Sequence, residues 1–188
     1  NRPKYVGVDV QTPRDPFYDP AELHGVIPKD GRTPYDVREV IARMVDGSEF
    51  DEFKKLYGTT LVTGFAHING YPVGIMINNP RFNGSSTDVA AGSKVNRLIQ
   101  LCDTFHIPLI SLCDEPGFMV GLESEKQGIE RAGARMIATV CNSRMPWATV
   151  VLGRVYGVAG QCHHRPTGMF RRYAWPSANW GSMHISGG

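Results

Sequence analysis

Val37, Val40, Ile41 and Met44 recur at helical spacing and predict one amphipathic helix. Thr33-Pro34 reads as its N-cap and first helical position, and Gly47 as its end. Ser48 opens a second short helix, with Phe50, Phe53 and Leu56 inside and Glu49, Asp51, Glu52, Lys54 and Lys55 outside. From Thr59 the period changes. Leu61–Ala66 and Val73–Ile77 are short apolar runs either side of Asn69-Gly70, the pattern of two strands joined by a tight hairpin. Ser93 to His106 is again helical, with Val95, Leu98, Ile99, Cys102 and Phe105 on one face and Pro108 as its stop. Leu109–Cys113 is continuously apolar, as in a strand covered on both faces. A long helix follows from about Ser124 to Arg144, burying Ile129, Ala132, Met136, Ile137, Val140 and Cys141. Then come a strand over Trp147–Leu152, a glycine-containing turn over Gly153–Gly160 and a short strand over Met169–Trp175. That order predicts an α/β layered domain with its loops gathered at one end of the sheet.

Residues 1–33 stand apart. Residues 1 to 34 hold six of the 13 prolines, a density that forbids a regular helix and suits an ordered connecting segment ahead of a domain at 34–188. The chain opens on Asn1 and stops at Gly187-Gly188 just after an apolar-aromatic stretch, which reads as a piece of a larger polypeptide.

Composition narrows the classes. With 188 residues, 41% of them hydrophobic, the chain can bury a substantial core. A net charge of +2, spread without any run of five like charges, leaves no footprint for nucleic acid. No stretch approaches the roughly 18 apolar residues that span a bilayer, and no signal-peptide core opens the chain. Cys102, Cys113, Cys141 and Cys162 include no Cys-x-x-Cys pair. The first three sit among apolar neighbours and read as buried thiols in a reducing compartment, cytoplasmic or an organelle matrix.

Three places offer chemistry. In Val151-Leu152-Gly153-Arg154-Val155-Tyr156-Gly157-Val158-Ala159-Gly160-Gln161-Cys162, an apolar strand enters a run of small residues. Small residues let a ligand approach the backbone, and amides at the start of a new helical turn have no internal partner. Taken alone, the segment reads more readily as a tight turn chosen for packing, because glycine turns are common. Cys113-Asp114-Glu115-Pro116-Gly117-Phe118-Met119 lies past a strand's C-terminal end, where open α/β sheets bind ligands. Phe118 and Met119 there suit a pocket wall. Asp114 and Glu115 suit acid–base work or, more commonly for adjacent acids on a loop, solvent. His163-His164 and the later His184 have no cysteine or carboxylate at metal-ligand spacing, so no metal site is assigned. Neither a nucleophile elbow nor a phosphate loop is present. The residues point to backbone amides more than to side-chain acid–base catalysis, without naming a reaction.

At these residues the sequence resembles the C-terminal domain of biotin-dependent acyl-CoA carboxyltransferases. The likeness runs in order through Pro34-Tyr35-Asp36-Val37-Arg38-Glu39-Val40-Ile41, Asp46-Gly47-Ser48-Glu49-Phe50 and Gly70-Tyr71-Pro72-Val73-Gly74-Ile75. It is strongest at Cys102-Asp103-Thr104-Phe105-His106-Ile107-Pro108-Leu109 and Pro116-Gly117-Phe118-Met119-Val120-Gly121, and it continues through Gly128–Ala134 and Ala174-Trp175-Pro176. The resemblance implies a crotonase-like fold of stacked ββα units, and a function moving a carboxyl group from carboxybiotin to the α carbon of an acyl-CoA. It implies that the Val158 and Ala159 amides form an oxyanion hole for the biotin ureido oxygen, that Gly117, Phe118, Tyr156 and Gly157 bind biotin, and that Gly160 and Gln161 help shape the acyl pocket. The ureido nitrogen would then take the α-proton, and the enolate attack CO2.

The same residues would serve the reverse transfer in an acyl-CoA decarboxylase, and a non-catalytic scaffold half is a further alternative. The implied partners are the carboxyltransferase N-terminal domain, a biotin carboxylase and a biotin carboxyl carrier protein, in a dimer-based oligomer that extends in some cases to a hexamer. No Ala-Met-Lys-Met biotinylation motif occurs, so biotin is expected on another domain or chain. Val158 stands where the family commonly has glycine. The segment His163–Arg172 and the ending His184-Ile185-Ser186 also depart from the family pattern, which puts ordinary acetyl- or propionyl-CoA specificity in question.

Overall fold

The computed structural model describes residues 8–30 and 33–183. Its first described segment is irregular up to a 3-10 turn at Pro20–Glu22 and a single helical turn, α1 (Leu23–Val26). Leu23 and Ile27 are buried in the same cluster as Val37, Val40 and Ile41. Arg14 pairs with Glu49, and Arg43 with Glu22 and Glu39.

The first predicted helix is α2 (Val37–Ala42), and it starts later than expected. Its N-cap is Asp36, whose carboxylate accepts from the Arg38 amide at 3.1 Å, while the Thr33 hydroxyl donates to Asp30 instead. A carboxylate already placed at the end of an extended segment is the better cap. The stripe outlasts α2 because the amides of Arg43, Met44 and Val45 still bond to the carbonyls of Val40 and Ile41. The second predicted helix does not form. Positive φ at Ser48 and Lys54 interrupts it, and Asp51–Glu52 becomes a two-residue strand, β1, so that Leu56 ends 93% exposed.

The hairpin forms as predicted, from β2 (Leu61–Ile68) and β3 (Tyr71–Asn78), which close in the pair Ile68↔Tyr71. Asn69 and Gly70 both take positive φ, as a twist-matched two-residue turn requires. The following helix, α3 (Val89–Phe105), begins a turn early because Asp88 caps the Ala91 amide at 2.7 Å. His106 ends it in the left-handed region before Pro108, and Phe105 is exposed. The strand β4 (Leu109–Glu115) follows. The long predicted helix is two, α4 (Leu122–Lys126) and α5 (Ile129–Asn142), split at Gly128. Ile129, Gly133, Met136 and Val140 face inward; Ala132 and Ile137 are half-buried. Cys141, one position off that stripe, is exposed and is no buried thiol.

The next strand, β5 (Trp147–Tyr156), runs straight through Gly153 rather than turning there. A Cβ on Gly153 would lie 2.6 Å from Asp114 Oδ1, so close approach, not a turn, requires glycine at this point. A 3-10 turn at Val158–His163 then leads to β6 (Phe170–Ala174) and the unpredicted β7 (Asn179–Gly181).

Among the described residues these strands form one sheet in the order β1-β2-β3-β4-β5-β6. β1–β3 pair antiparallel and β3–β6 parallel, and β7 pairs with the far end of β5. One face packs α3 and α5 through Met76, Val95, Leu98, Met136 and Trp147. The other face packs α2 and Leu23 against Val62, Ile75, Ile77, Leu112 and Leu152. β4 is therefore covered on both faces, as its continuous apolar run predicts. Being parallel, β4 and β5 deliver their C-terminal loops to the same end of the sheet.

Candidate functional site

Both loops singled out in the sequence leave from these strand ends. Between the pairs Cys113↔Val151 and Glu115↔Val155 the ladder is irregular. There the buried Asp114 carboxylate accepts from the Arg154 backbone amide at 2.8 Å and from its guanidinium at 2.9 and 3.0 Å. These bonds raise the Arg154 pKa and tie the guanidinium to the strand end; its Nη2 also donates to the Gly84 carbonyl at 3.0 Å.

Beyond Tyr156 the chain turns at Gly157, with φ 60 and ψ −154. That region is essentially closed to residues with a Cβ. The Gly157 amide donates to the Gly181 carbonyl at 3.1 Å, which pins the corner to β7. A 3-10 turn begins at Val158, so the amides of Val158 and Ala159 precede its first internal donor. Among the described residues no backbone acceptor outside the turn takes them up.

From the other side comes the loop after β4. Thr87 brackets it, donating its amide to the Gly117 carbonyl at 3.2 Å and accepting from Met119 at 2.9 Å. Phe118 lies over α5 against Gly133, where an added Cβ would sit 2.9 Å from the ring and push it aside. Gly117, Phe118, Tyr156, Gly157, Val158 and Ala159 thus line one cleft of about 480 Å³, with Arg154 and Met183 beside them. Ala159 is buried and the Val158 side chain is 63% exposed.

Gly160 and Gln161 are not in that cleft. They open on a neighbouring one of about 450 Å³, with Arg172, Tyr173 and Trp180. The two clefts share Gly157 and Ser182.

Sequence reasoning missed the interior beneath. Asp114 and Glu115 are not solvated loop acids: both belong to β4 and both are buried. The Glu115 carboxyl accepts from the Thr87 hydroxyl at 2.5 Å, the Asn78 amide at 2.9 Å and the Gly117 amide at 3.1 Å. His163, 1% exposed, lies with Nδ1 2.7 Å from Ser111 Oγ and Nε2 3.6 Å from Glu115, within ion-pair range but beyond a hydrogen bond. Burial, with the charge of Glu115 added, pushes the thiols of Cys113 and Cys162 well up, so both are poor nucleophiles. His164 turns the other way, edge-on to Phe170 at 4.8 Å, and burial lowers its pKa. His184 lies outside the described residues. Among the described residues no group of three His, Cys, Asp or Glu side chains is arranged to hold a metal, and no helix is long and apolar enough to cross a membrane.

A mixed-sheet domain whose two parallel-strand loops enclose a cleft walled by amides unpaired among the described residues matches one family along nearly its whole length. The chain belongs to the carboxyl transferase domain family, whose pattern covers residues 4–187. It is 45% identical over 172 residues, 90% of its length, to the biotin-dependent 3-methylcrotonyl-coenzyme A carboxylase beta1 subunit of Mycobacterium tuberculosis. It is 41% identical over 180 residues, 95% of its length, to the mitochondrial methylcrotonoyl-CoA carboxylase beta chain of Dictyostelium discoideum. Among solved structures, a transcarboxylase 12S hexamer with hydrolysed methylmalonyl-coenzyme A bound superposes over 100% of this chain with a TM-score of 0.84 at 35% identity. The fold is accordingly the crotonase-like one of stacked ββα units. The chain spans about a third of these proteins, namely 31%, 30% and 36% of their lengths.

Proposed function

We propose that this chain is the biotin-side half of a carboxyltransferase that moves a carboxyl group between biotin and the α carbon of an acyl-CoA. One observation carries the reading. Two consecutive backbone amides, Val158 and Ala159, stand without an acceptor among the described residues, on the wall of a cleft whose other walls are largely apolar and aromatic.

The cleft suits the bicyclic head of biotin, which is flat, largely apolar and edged by one strong acceptor, the ureido oxygen. When bound, carboxylated biotin supplies the carboxyl group and gathers negative charge on that oxygen as the group leaves. In this reading the chain contributes position and electrostatics. Phe118, held over Gly133, and Tyr156 exclude water from the faces of the ring. The Gly157 corner aims the Val158 and Ala159 amides at one point, where they stabilise charge as it develops. No side-chain base is needed at that wall, which fits the exposed Val158 side chain and the buried Ala159. Arg154, already neutralised by Asp114, serves to hold the loop and not to bind an anion.

Gln161 we assign to acyl choice from its place at the mouth of the neighbouring cleft. The other half of the enzyme, the biotin carboxylase, the biotin carrier and a dimer-based or hexameric assembly follow from the reading as partners, in the cytoplasm or the mitochondrial matrix. The test is Ala159→Pro in the full-length protein, which deletes one amide donor. A folded variant should lose about 10²–10³ in transfer rate with an unchanged KM for acyl-CoA. Undiminished transfer would refute the oxyanion role. Exchanging Gln161 for Ile and profiling acyl chain length tests the second assignment, and an identical profile removes it.

A further inference from the structure

β4 ends in two buried acids of different standing. Asp114 is gripped by Arg154. Glu115, 0% exposed, has no Lys or Arg within ion-pair distance among the described residues; the group in that range is His163. A carboxyl buried without a cation costs stability unless its acceptors are filled. Those of Glu115 are filled by Gly117, Thr87 and Asn78, and a fourth neighbour, His163, stands at 3.6 Å. Oε1 takes the Gly117 amide, on the loop that carries Phe118. Oε2 takes the Asn78 amide of β3 and the hydroxyl of Thr87, which brackets that same loop, and it faces His163, the last residue of the turn that begins with Val158 and Ala159, at ion-pair and not hydrogen-bond distance.

His163 is fastened on its other sides as well. Its ring meets Ser111 Oγ at 2.7 Å and its carbonyl accepts from the Thr149 hydroxyl at 2.6 Å. The order Ser111, His163, Glu115 has the form of a nucleophile, base and acid. Complete burial of Ser111 rules out attack on a substrate and leaves a structural linkage. One carboxyl thus reaches under both walls of the cleft, by hydrogen bonds on the Gly117 side and by a 3.6 Å ion-pair contact on the His163 side.

We infer that Glu115 is a positioning residue for carboxyl transfer, fixing the separation between the Gly117–Phe118 wall and the Val158–Ala159 amides through His163. The inference rests on the reading of those amides as the oxyanion donors. Glu115→Gln keeps the size of the side chain but puts an NH2 where an acceptor was, so one of three donors must be turned away. Loosening the walls by about 1 Å costs on the order of 10² in rate.

The experiment uses the full-length enzyme with its biotin-carrying partner, and compares Glu115→Gln with Ala159→Pro and the parent. The expected result for Glu115→Gln is a kcat lower by about 10²-fold, a KM for acyl-CoA within about threefold of the parent and cooperative unfolding. A folded Glu115→Gln with the parent's kcat overturns the inference, and so does a loss that appears equally in the KM for acyl-CoA. If Glu115→Gln does not fold, His163→Gln decides by the same criteria. Full activity in Glu115→Gln beside an inactive Ala159→Pro removes the positioning role alone. Full activity in both removes the oxyanion reading beneath it.

Discussion

Replacing Gly157 by alanine tests the corner on which the site turns. At φ 60 and ψ −154 the residue occupies a region that an L side chain enters at a cost of about 1–3 kcal/mol. Space is not the obstacle, since the nearest atom to an added Cβ is the Ser182 carbonyl oxygen at 3.4 Å, an ordinary contact. The cost is therefore backbone strain, and the chain has two ways to meet it. If the corner holds, stability falls by that amount. If it relaxes, the Gly157 bond to Gly181 breaks and the Val158 and Ala159 amides lose their aim. The aligned form then becomes the minor one by about 5- to 150-fold, and the rate of transfer falls with it. Steady-state carboxyl transfer at saturating acyl-CoA, alongside thermal unfolding of the full-length protein, reads both outcomes. A variant with kcat within twofold of the parent and an unchanged melting temperature would show that the corner is not strained as described.

Other residues give independent tests. Gly133→Ala should gain up to about 1 kcal/mol of helix propensity in α5 while pushing the Phe118 ring off its seat. The KM for the biotin carrier rises several-fold and that for acyl-CoA stays put; an unchanged carrier KM contradicts the placement of Phe118. Lys94 is fully buried with its amine unpartnered among the described residues, and burial pushes its pKa down to about 8. Lys94→Met should stabilise the protein by roughly 1–3 kcal/mol at neutral pH. Below pH 8 both folded and unfolded chains carry the charge, so the cost of burying it is felt in full. Between about 8 and the ordinary 10.5 the unfolded chain holds more protons, so the parent gains stability as pH rises and the variant does not. Urea unfolding across that range checks the sign, and a constant gap between the two proteins would refute it.

How much was legible follows from where each signal resides. The hairpin was readable because alternation and Asn69-Gly70 are local, and β4 because a two-sided strand leaves an unbroken apolar run. The false helix after Ser48 had helical spacing too. Two residues at positive φ and two ladder pairs with β2 outweighed it, and neither has a local signature. β7 was missed because its three residues are exposed and carry no alternation. At the site, the Gly157–Ala159 corner was visible as a run of small residues, but the residues alone leaned towards packing; the ordered motifs made it a candidate. The Ser111–His163–Glu115 linkage was invisible. Its partners are up to 52 residues apart, and two adjacent acids look the same in a sequence whether buried or solvated. Gln161, given to the acyl pocket by the resemblance, lines a neighbouring cleft and not the one walled by the amides, a separation that sequence proximity does not show.

The central claim is that two peptide N–H groups, and no side chain, stabilise the charge in the cleft. It is tested most directly by replacing the Ala159 peptide N–H with an ester oxygen, through incorporation of the α-hydroxy analogue of alanine at that position in the full-length enzyme. This leaves every side chain and the φ and ψ of the turn in place. The account predicts a fall in kcat of about 10²–10³ with the KM for acyl-CoA unchanged, and a comparable fall for the same exchange at Val158. Full activity in both ester variants would contradict it.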